Sequence, residues 1–338
     1  MTGKHKKLVK TQVVLTVDTE PSVAGAFRED EFYTPLIHEP VAGVVDGKSE
    51  GLGFLVETLK GHGLVATFFV ETVHTRYFPD TVMGGYVDRL LRAGQDVQLH
   101  LHPCWLSFED GKFDRSNLAS DHCHELEIGH LAALISEGAD RICAWTGVRP
   151  SGMRTGNFST ALSVFAAMSQ AGLRHGSNIC LAVLRPPERQ LAVTGGAHDF
   201  AGIRELPVTC FVDVGPVGRG RLRPMQISAL TAREQISLLN AAHEGKNPVV
   251  VIVAHPFEFI KKRDFRYTNL RRNRIIQDRF RRLCGFLAEN TDRFEVVPLA
   301  VAAETVEAGQ VWTELTGNAF NSIVRAATNV VNDHLGFV

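Results

Sequence analysis

Short apolar runs alternate with longer segments of helical period along the whole chain, and this alternation constrains the fold most. VVLTVD (13–18), VATFFVE (65–71), DVQLHLH (96–102), PSGMRTG (150–156), LRHGSNI (173–179), RELPVTCFVD (204–213), PVVVIVAH (248–255) and EVVPLA (295–300) read as strands. Most are β-branched and bounded by Gly, Pro or charge. Helices are predicted near 51–61, 80–93, 125–138, 159–171, 231–244 and 270–289, the fourth with Ser159 as N-cap and Gly172 as its stop. Repeated strand-then-helix units imply an α/β architecture with parallel strands and outer helices, and eight candidate strands suit a distorted (β/α) barrel.

Two stretches break the rhythm. Residues 21–50 follow the first strand and 103–124 follow the third, and long loops at barrel strand ends are where active sites are built. No linker divides the chain. The expected organisation is a flexible basic N-terminus (1–11), a barrel domain (12–300) and a C-terminal tail (301–338). In the tail, TVEAGQVWTEL and AFNSIVRAATNVVNDHL read as two amphipathic helices that close the barrel or pair with a second subunit in a homo-oligomer.

With 36 Lys+Arg against 37 Asp+Glu, the chain lacks the basic excess that nucleic-acid binding needs. Its longest apolar run, PVVVIVAHP, is too short to span a bilayer. The first ten residues are basic without an apolar stretch behind them, so no secretory signal is expected. Six scattered cysteines without a CxxC pair read as reduced thiols, and the expected location is cytoplasmic.

The polar residues gather by position. Asp18 and Glu20 end the first strand, His100 and His102 the third, Arg154 the fourth, and His255 a very apolar late strand. In a parallel sheet these ends share one rim, and residues i and i+2 project to the same side. Two imidazoles and a carboxylate make a three-ligand set that leaves positions open for water, as in hydrolytic zinc sites. Each element also has a bland reading. Asp18 and Glu20 could be a solvated strand end, Arg154 a surface ion-pair residue and His255 a core histidine. His122 and His124 in SDHCHE read as caps of the following helix, and the basic stretch 261–282 as a solvated helix face open to an anionic substrate or partner.

The ordered series TVDTEP, ATFFV, GQDVQLHLHP, MRTGNFS, ELPVT and IVAHPFEF resembles the polysaccharide deacetylases, the carbohydrate esterases with a NodB-like domain. The resemblance spans roughly residues 12–300 and is closest to a branch whose second motif reads His-x-His-Pro. It implies a distorted (β/α) barrel and metal-dependent hydrolysis of acetyl groups on sugars. Asp18 matches the catalytic base, Arg154 the arginine that orients it, and His255 the general acid. The pattern departs in three places. Thr19 stands where a second aspartate is usual, so the metal acid would be Glu20. Cys104 stands where the second motif histidine is usual, so His102 would substitute. Gly176-Ser177 stands where many members have Asp-Ser.

The resulting expectation is a hydrolase that removes acetyl from an N-acetylated sugar or sugar conjugate. A divalent ion, zinc by expectation, would sit on Glu20, His100 and His102, with Asp18 as base, Arg154 as its holder and His255 as acid. Trp105, Asn157 and Glu258 are expected to contact the substrate. Two alternatives stay open: a metal-independent amidohydrolase of the same fold acting on a small cyclic amide, permitted by Cys104, and a non-catalytic member.

Overall fold

A computed structural model describes residues 10–28, 31–215 and 218–334. In chain order its main elements are β1 (Thr11–Thr19), α1 (Leu52–Gly61), β2 (Thr67–Glu71), α2 (Asp80–Arg92), β3 (Asp96–Leu101), α3 (Ile128–Thr146), β4 (Gly152–Thr155), α4 (Leu162–Gln170), β5 (His175–Gly176) and β6 (Ile203–Glu205). They continue with β7 (Cys210–Gly215), β8 (Gly218–Pro224), α5 (Ala232–Glu244), β9 (Val249–Ala254), β10 (Ile260–Lys261), β11 (Arg271–Arg272), α6 (Arg274–Glu289), β12 (Phe294–Val296), α7 (Leu299–Thr305), β13 (Leu315–Thr316) and α8 (Ala319–His334).

The main sheet runs β6-β5-β4-β3-β2-β1-β9, with β12 also on β1, and these pairings are parallel. Residues 206–210 then close the curl without forming a ladder. Leu206 N donates to Gly176 O (2.9 Å), Val208 N to Ile179 O (2.9 Å) and Thr209 N to Val251 O (3.1 Å). The result is the expected distorted barrel, with one irregular seam. The reason lies in RELPVTCFVD, whose Pro207 lacks an N–H to donate. That run splits into β6 and β7 instead of forming one strand.

Strand parity sorts the side chains. On β1, Val13, Leu15 and Val17 pack in the outer core with the helices, while Val14 belongs to a second, inner core. On β9, Val250, Ile252 and Ala254 are outer, and Val249, Val251 and Val253 inner. Two-sided burial is what a near-continuous apolar run means in a parallel sheet. Leu299, Ala302, Ala303 and Val306 of α7 and its flank join the inner core and plug the end of the barrel where β1 begins.

Several elements differ from their expected form. LRHGSNI contributes only the two-residue β5, and EVVPLA gives β12 and then the start of α7. Helix α4 begins at Leu162 with Ala161 as its N-cap; Ser159 lies outside it, its hydroxyl 2.8 Å from His124 Nδ1. In the tail, TVEAGQVWTEL is not a helix: α7 precedes it, β13 pairs with β7, and α8 follows. Arg325 of α8 hydrogen-bonds Asp213 and Glu234. Of the expected flexible N-terminus, Thr11 already belongs to β1 and Lys10 precedes it, while residues 1–9 lie outside the described residues. No helix among the described residues is long and apolar enough to cross a membrane.

Candidate active site

The inner parity of each strand continues past its end as the polar row. On β1 it reads Val14, Thr16, Asp18, then Glu20; on β3 it leads to His100 and His102; on β9 it leads to His255. Register aligns these ends, with Glu71 opposite His100 and His100 opposite Arg154. Asp18, Glu20, His100, His102, Asn157 and His255 line one cavity of about 210 Å³, with Phe158, Val183 and Pro224 among its apolar walls.

Glu20 Oε2 lies 2.9 Å from His100 Nε2 and 2.7 Å from His102 Nε2. The outer nitrogen of each ring is held by an acceptor: His100 Nδ1 by the Arg154 carbonyl (2.8 Å), His102 Nδ1 by Asp121 (2.9 Å to Oδ2). Acceptors at Nδ1 keep a proton there and leave Nε2, which faces Glu20, as the nitrogen that would give up its proton to ligate an ion. The three ligand atoms lie within 4.8 Å of one another, and two imidazoles plus one carboxylate match the donor set of an open zinc site. The residues therefore fit a divalent ion. Burial alone would raise the Glu20 carboxyl, but the charges and hydrogen bonds of the two imidazoles hold it well below the usual range.

Cys104 sits behind this set, grouped with His102 and Asp121. Burial pushes its thiol up to about 12, so it is protonated at neutral pH. Gly156 lets His102 come close, because a Cβ there would stand 2.4 Å from the imidazole ring.

Across the cavity, Arg154 is fully buried and every donor group is used. Nη1 donates to Asp18 Oδ1 (2.7 Å) and Thr16 Oγ1 (2.9 Å), Nε to the Ser177 carbonyl (2.8 Å) and Nη2 to Ser177 Oγ (2.7 Å). The guanidinium also stands 4.4 Å from the Phe69 ring centroid. Gly176 has no room for the acid that the resemblance would place there, since a Cβ would meet Glu205 Oε2 at 2.4 Å.

His255 Nε2 lies 3.7 Å from Asp18 Oδ2, and its Nδ1 is 2.8 Å from Glu258 Oε1. Burial disfavours charge on this ring. The Glu258 hydrogen bond and the negative charges of Glu258, Asp18 and Glu20 outweigh burial and raise it to about 9.

Two expected substrate contacts need correction. Trp105 is 1% exposed and packs against Phe78, Phe108 and His74, because the turn Pro103–Ser107 folds it under the sheet. Glu258 is buried, bonded to His255 and Gln226, and does not line the cavity. Asn157 does line it, donating to Asp121 from a left-handed backbone at φ 54°. Asp121, Ser177 and Thr16 were not among the expected site residues. Asp121 comes from an irregular loop with no periodic signal, whereas Thr16 is the inner-row residue before Asp18.

The sequence matches no family model and no curated protein. The structure is similar to a provisionally named polysaccharide deacetylase from Mycobacterium smegmatis, with a TM-score of 0.52 at 13% identity over 94% of this chain and 96% of that one. It is also similar to 4-α-glucanotransferase from Thermococcus litoralis (TM-score 0.53, 8% identity), over 91% of this chain and 41% of that one. A family 4 acetyl xylan esterase from Clostridium thermocellum in complex with cobalt superposes more loosely, at TM-score 0.41 and 13% identity over 86% and 90% of the two chains. At these identities what is shared with the first two is the fold.

Proposed function

From a chain with the NodB-like deacetylase fold, we propose a metal-dependent hydrolase that removes the acetyl group from an N-acetylated sugar or sugar conjugate. The carrying observation is that Glu20, His100 and His102 converge on one side of a cavity whose other side holds the Asp18–Arg154 pair and His255. The Mycobacterium smegmatis protein, similar over nearly its whole length, supports acetyl removal as the reaction.

A divalent ion, zinc by donor type, would when bound polarise the acyl carbonyl and make a water acidic. Asp18 accepts the proton of the attacking water through Oδ2, while Oδ1 stays fixed on Arg154. A carboxylate beside a fixed guanidinium stays oriented for that transfer. His255, protonated on Nε2 and held at Nδ1 by Glu258, faces the cavity and donates to the departing amine.

Metal analysis of the wild type beside His100→Ala and His102→Ala tests this reading. About one transition metal per chain is expected, lost in both variants, together with acetate release from N-acetylated sugars by the wild type. A wild type that holds no metal after its re-addition, and that opens a cyclic amide regardless of chelators, overturns it in favour of the metal-independent amidohydrolase.

The acid assignment carries a pH signature. His255, raised to about 9, is protonated at neutral pH, so activity falls as pH rises through that value. The stability that its charge contributes follows the same sign: fully present below the unfolded value of about 6.5 and lost as pH climbs through the folded value. Glu258→Gln removes the principal opponent of burial, so the alkaline limb moves to lower pH. A bound divalent cation lowers both limbs, so the comparison is made between holoenzymes. Superimposable pH–rate profiles would remove His255 from the acid role.

A further inference from the structure

Residues 261–274 carry seven Lys and Arg against one Asp, and they leave the barrel directly after the strand end that bears His255. Several of these cations are used by the fold. Arg266 donates to the carbonyls of Ala24 (2.9 Å) and Thr34 (2.6 Å), Arg272 lies 2.8 Å from Glu50, and Lys261 donates to the carbonyl of Asn332. Lys262 makes no hydrogen bond or ion pair among the described residues. The nearby Asp264 carboxylate is occupied by its own turn, accepting from Arg266 N (3.0 Å), Thr268 N (3.2 Å) and Thr268 Oγ1 (2.6 Å).

What Lys262 does touch is aromatic. Its ammonium rests 3.6 Å over the Tyr267 ring and 5.9 Å from that of Phe257, and Phe257 stacks on His255 at 4.8 Å and 25°. The ammonium is thus no farther from the catalytic imidazole than two ring-to-ring steps. Tyr267 holds its position at φ 58°, a left-handed backbone that a bulky residue adopts only when its surroundings enforce it. Partial burial of a side chain that stays exposed lowers the Lys262 ammonium from its ordinary value, with the charge of Asp264 opposing; an anion beside it would offset that. The cavity, at about 210 Å³, is smaller than the ~300–1,000 Å³ of typical small-molecule sites. It has room for an acetamido group, and the remainder of a substrate must lie outside it; neither Phe257 nor Lys262 lines it, but Phe257 stacks on His255, which does, and Lys262 stands beside Phe257.

We propose that Lys262 receives an anionic group of the substrate, a phosphate or a carboxylate, placed across one sugar ring from the scissile amide. This rests on the hydrolase reading above and narrows it to acidic N-acetylated sugars. Phe257 gives the ring a flat apolar face, and Lys262 fixes its far edge by a charge-assisted contact.

The test compares acetate release from a neutral methyl glycoside of an N-acetylhexosamine, the same sugar bearing a phosphate, and the same sugar bearing a carboxylate. The enzymes are wild type, Lys262→Met and Lys262→Arg, with calorimetric binding of inorganic phosphate measured alongside. The wild type is expected to favour one charged sugar by about 10- to 100-fold in kcat/KM, the range for a hydrogen bond to a charged group. Whichever sugar is favoured identifies the anion. Lys262→Met removes the preference by lowering only the charged substrate's kcat/KM, Lys262→Arg retains most of it, and high salt narrows it. Equal kcat/KM for neutral and charged sugars in the wild type overturns the proposal and leaves the hydrolase reading standing. If no sugar is turned over, the hydrolase reading falls. The anion site is then judged on phosphate alone: saturable binding lost in Lys262→Met upholds it, and its absence in the wild type sinks it.

Discussion

Asp18→Asn lowers the rate of acetate release by about 10²- to 10⁴-fold, the range for removing a general base, and leaves metal content unchanged. Asparagine has the shape of aspartate and keeps an oxygen for Arg154 Nη1, but it cannot take a proton. None of the three atoms that would ligate the ion belongs to residue 18, so that set is intact. Arg154 keeps Thr16 and both Ser177 acceptors, so the pocket wall stays in place. The measurement is acetate release beside metal content on the same preparation. Turnover within a few-fold of wild type would take Asp18 out of the mechanism.

Arg154→Met acts on the fold as well as on catalysis. The substitution roughly matches the length of the side chain but strips a fully buried position of its charge. The carboxylate of Asp18, 2% exposed, loses its partner, and Thr16 and Ser177 lose their donor. Breaking a buried pair from one side costs about 3–5 kcal/mol, a large share of the ~5–15 kcal/mol that separates folded from unfolded domains. The expected result is a strongly lowered urea midpoint. Ser177→Ala, which removes one acceptor and leaves the ion pair, lowers it by less. An unchanged midpoint in Arg154→Met would mean that the ion pair does not hold the barrel wall.

How much of this was legible in the sequence follows from where each residue sits. Strands β1, β3 and β9 are long enough for parity to be read, so the inward row of Asp18, Glu20, His100, His102 and His255 could be read from spacing. Parity fails where strands are short. Strand β5 is two residues, and its neighbour Ser177, marked only by the resemblance, acts through a hydroxyl and a carbonyl that no periodicity shows. Trp105 shows the opposite error. An aromatic beside two histidines suggests a platform for a sugar, but Pro103 starts a turn that carries the indole into the core. Asp121 was hidden because its partner, His102, lies nineteen positions away across a loop whose path only tertiary packing sets. Glu258 stands at i+3 from His255, and in the one-turn helix that follows the strand this spacing makes it a holder of the imidazole and not a substrate contact.

The helix that seals the barrel opposite the cavity has a consequence for the order of events. Phe158, Cys180 and Val253 of the inner core line the cavity, and Leu299, Ala302 and Ala303 of the same core lie behind them, so a molecule that enters from the polar rim would leave by it. In the proposed reaction the acyl fragment would lie innermost, beside His100 and His102, and the sugar outermost. Departure would then be sequential, amine first and acetate last, and acetate left inside would block the next arrival.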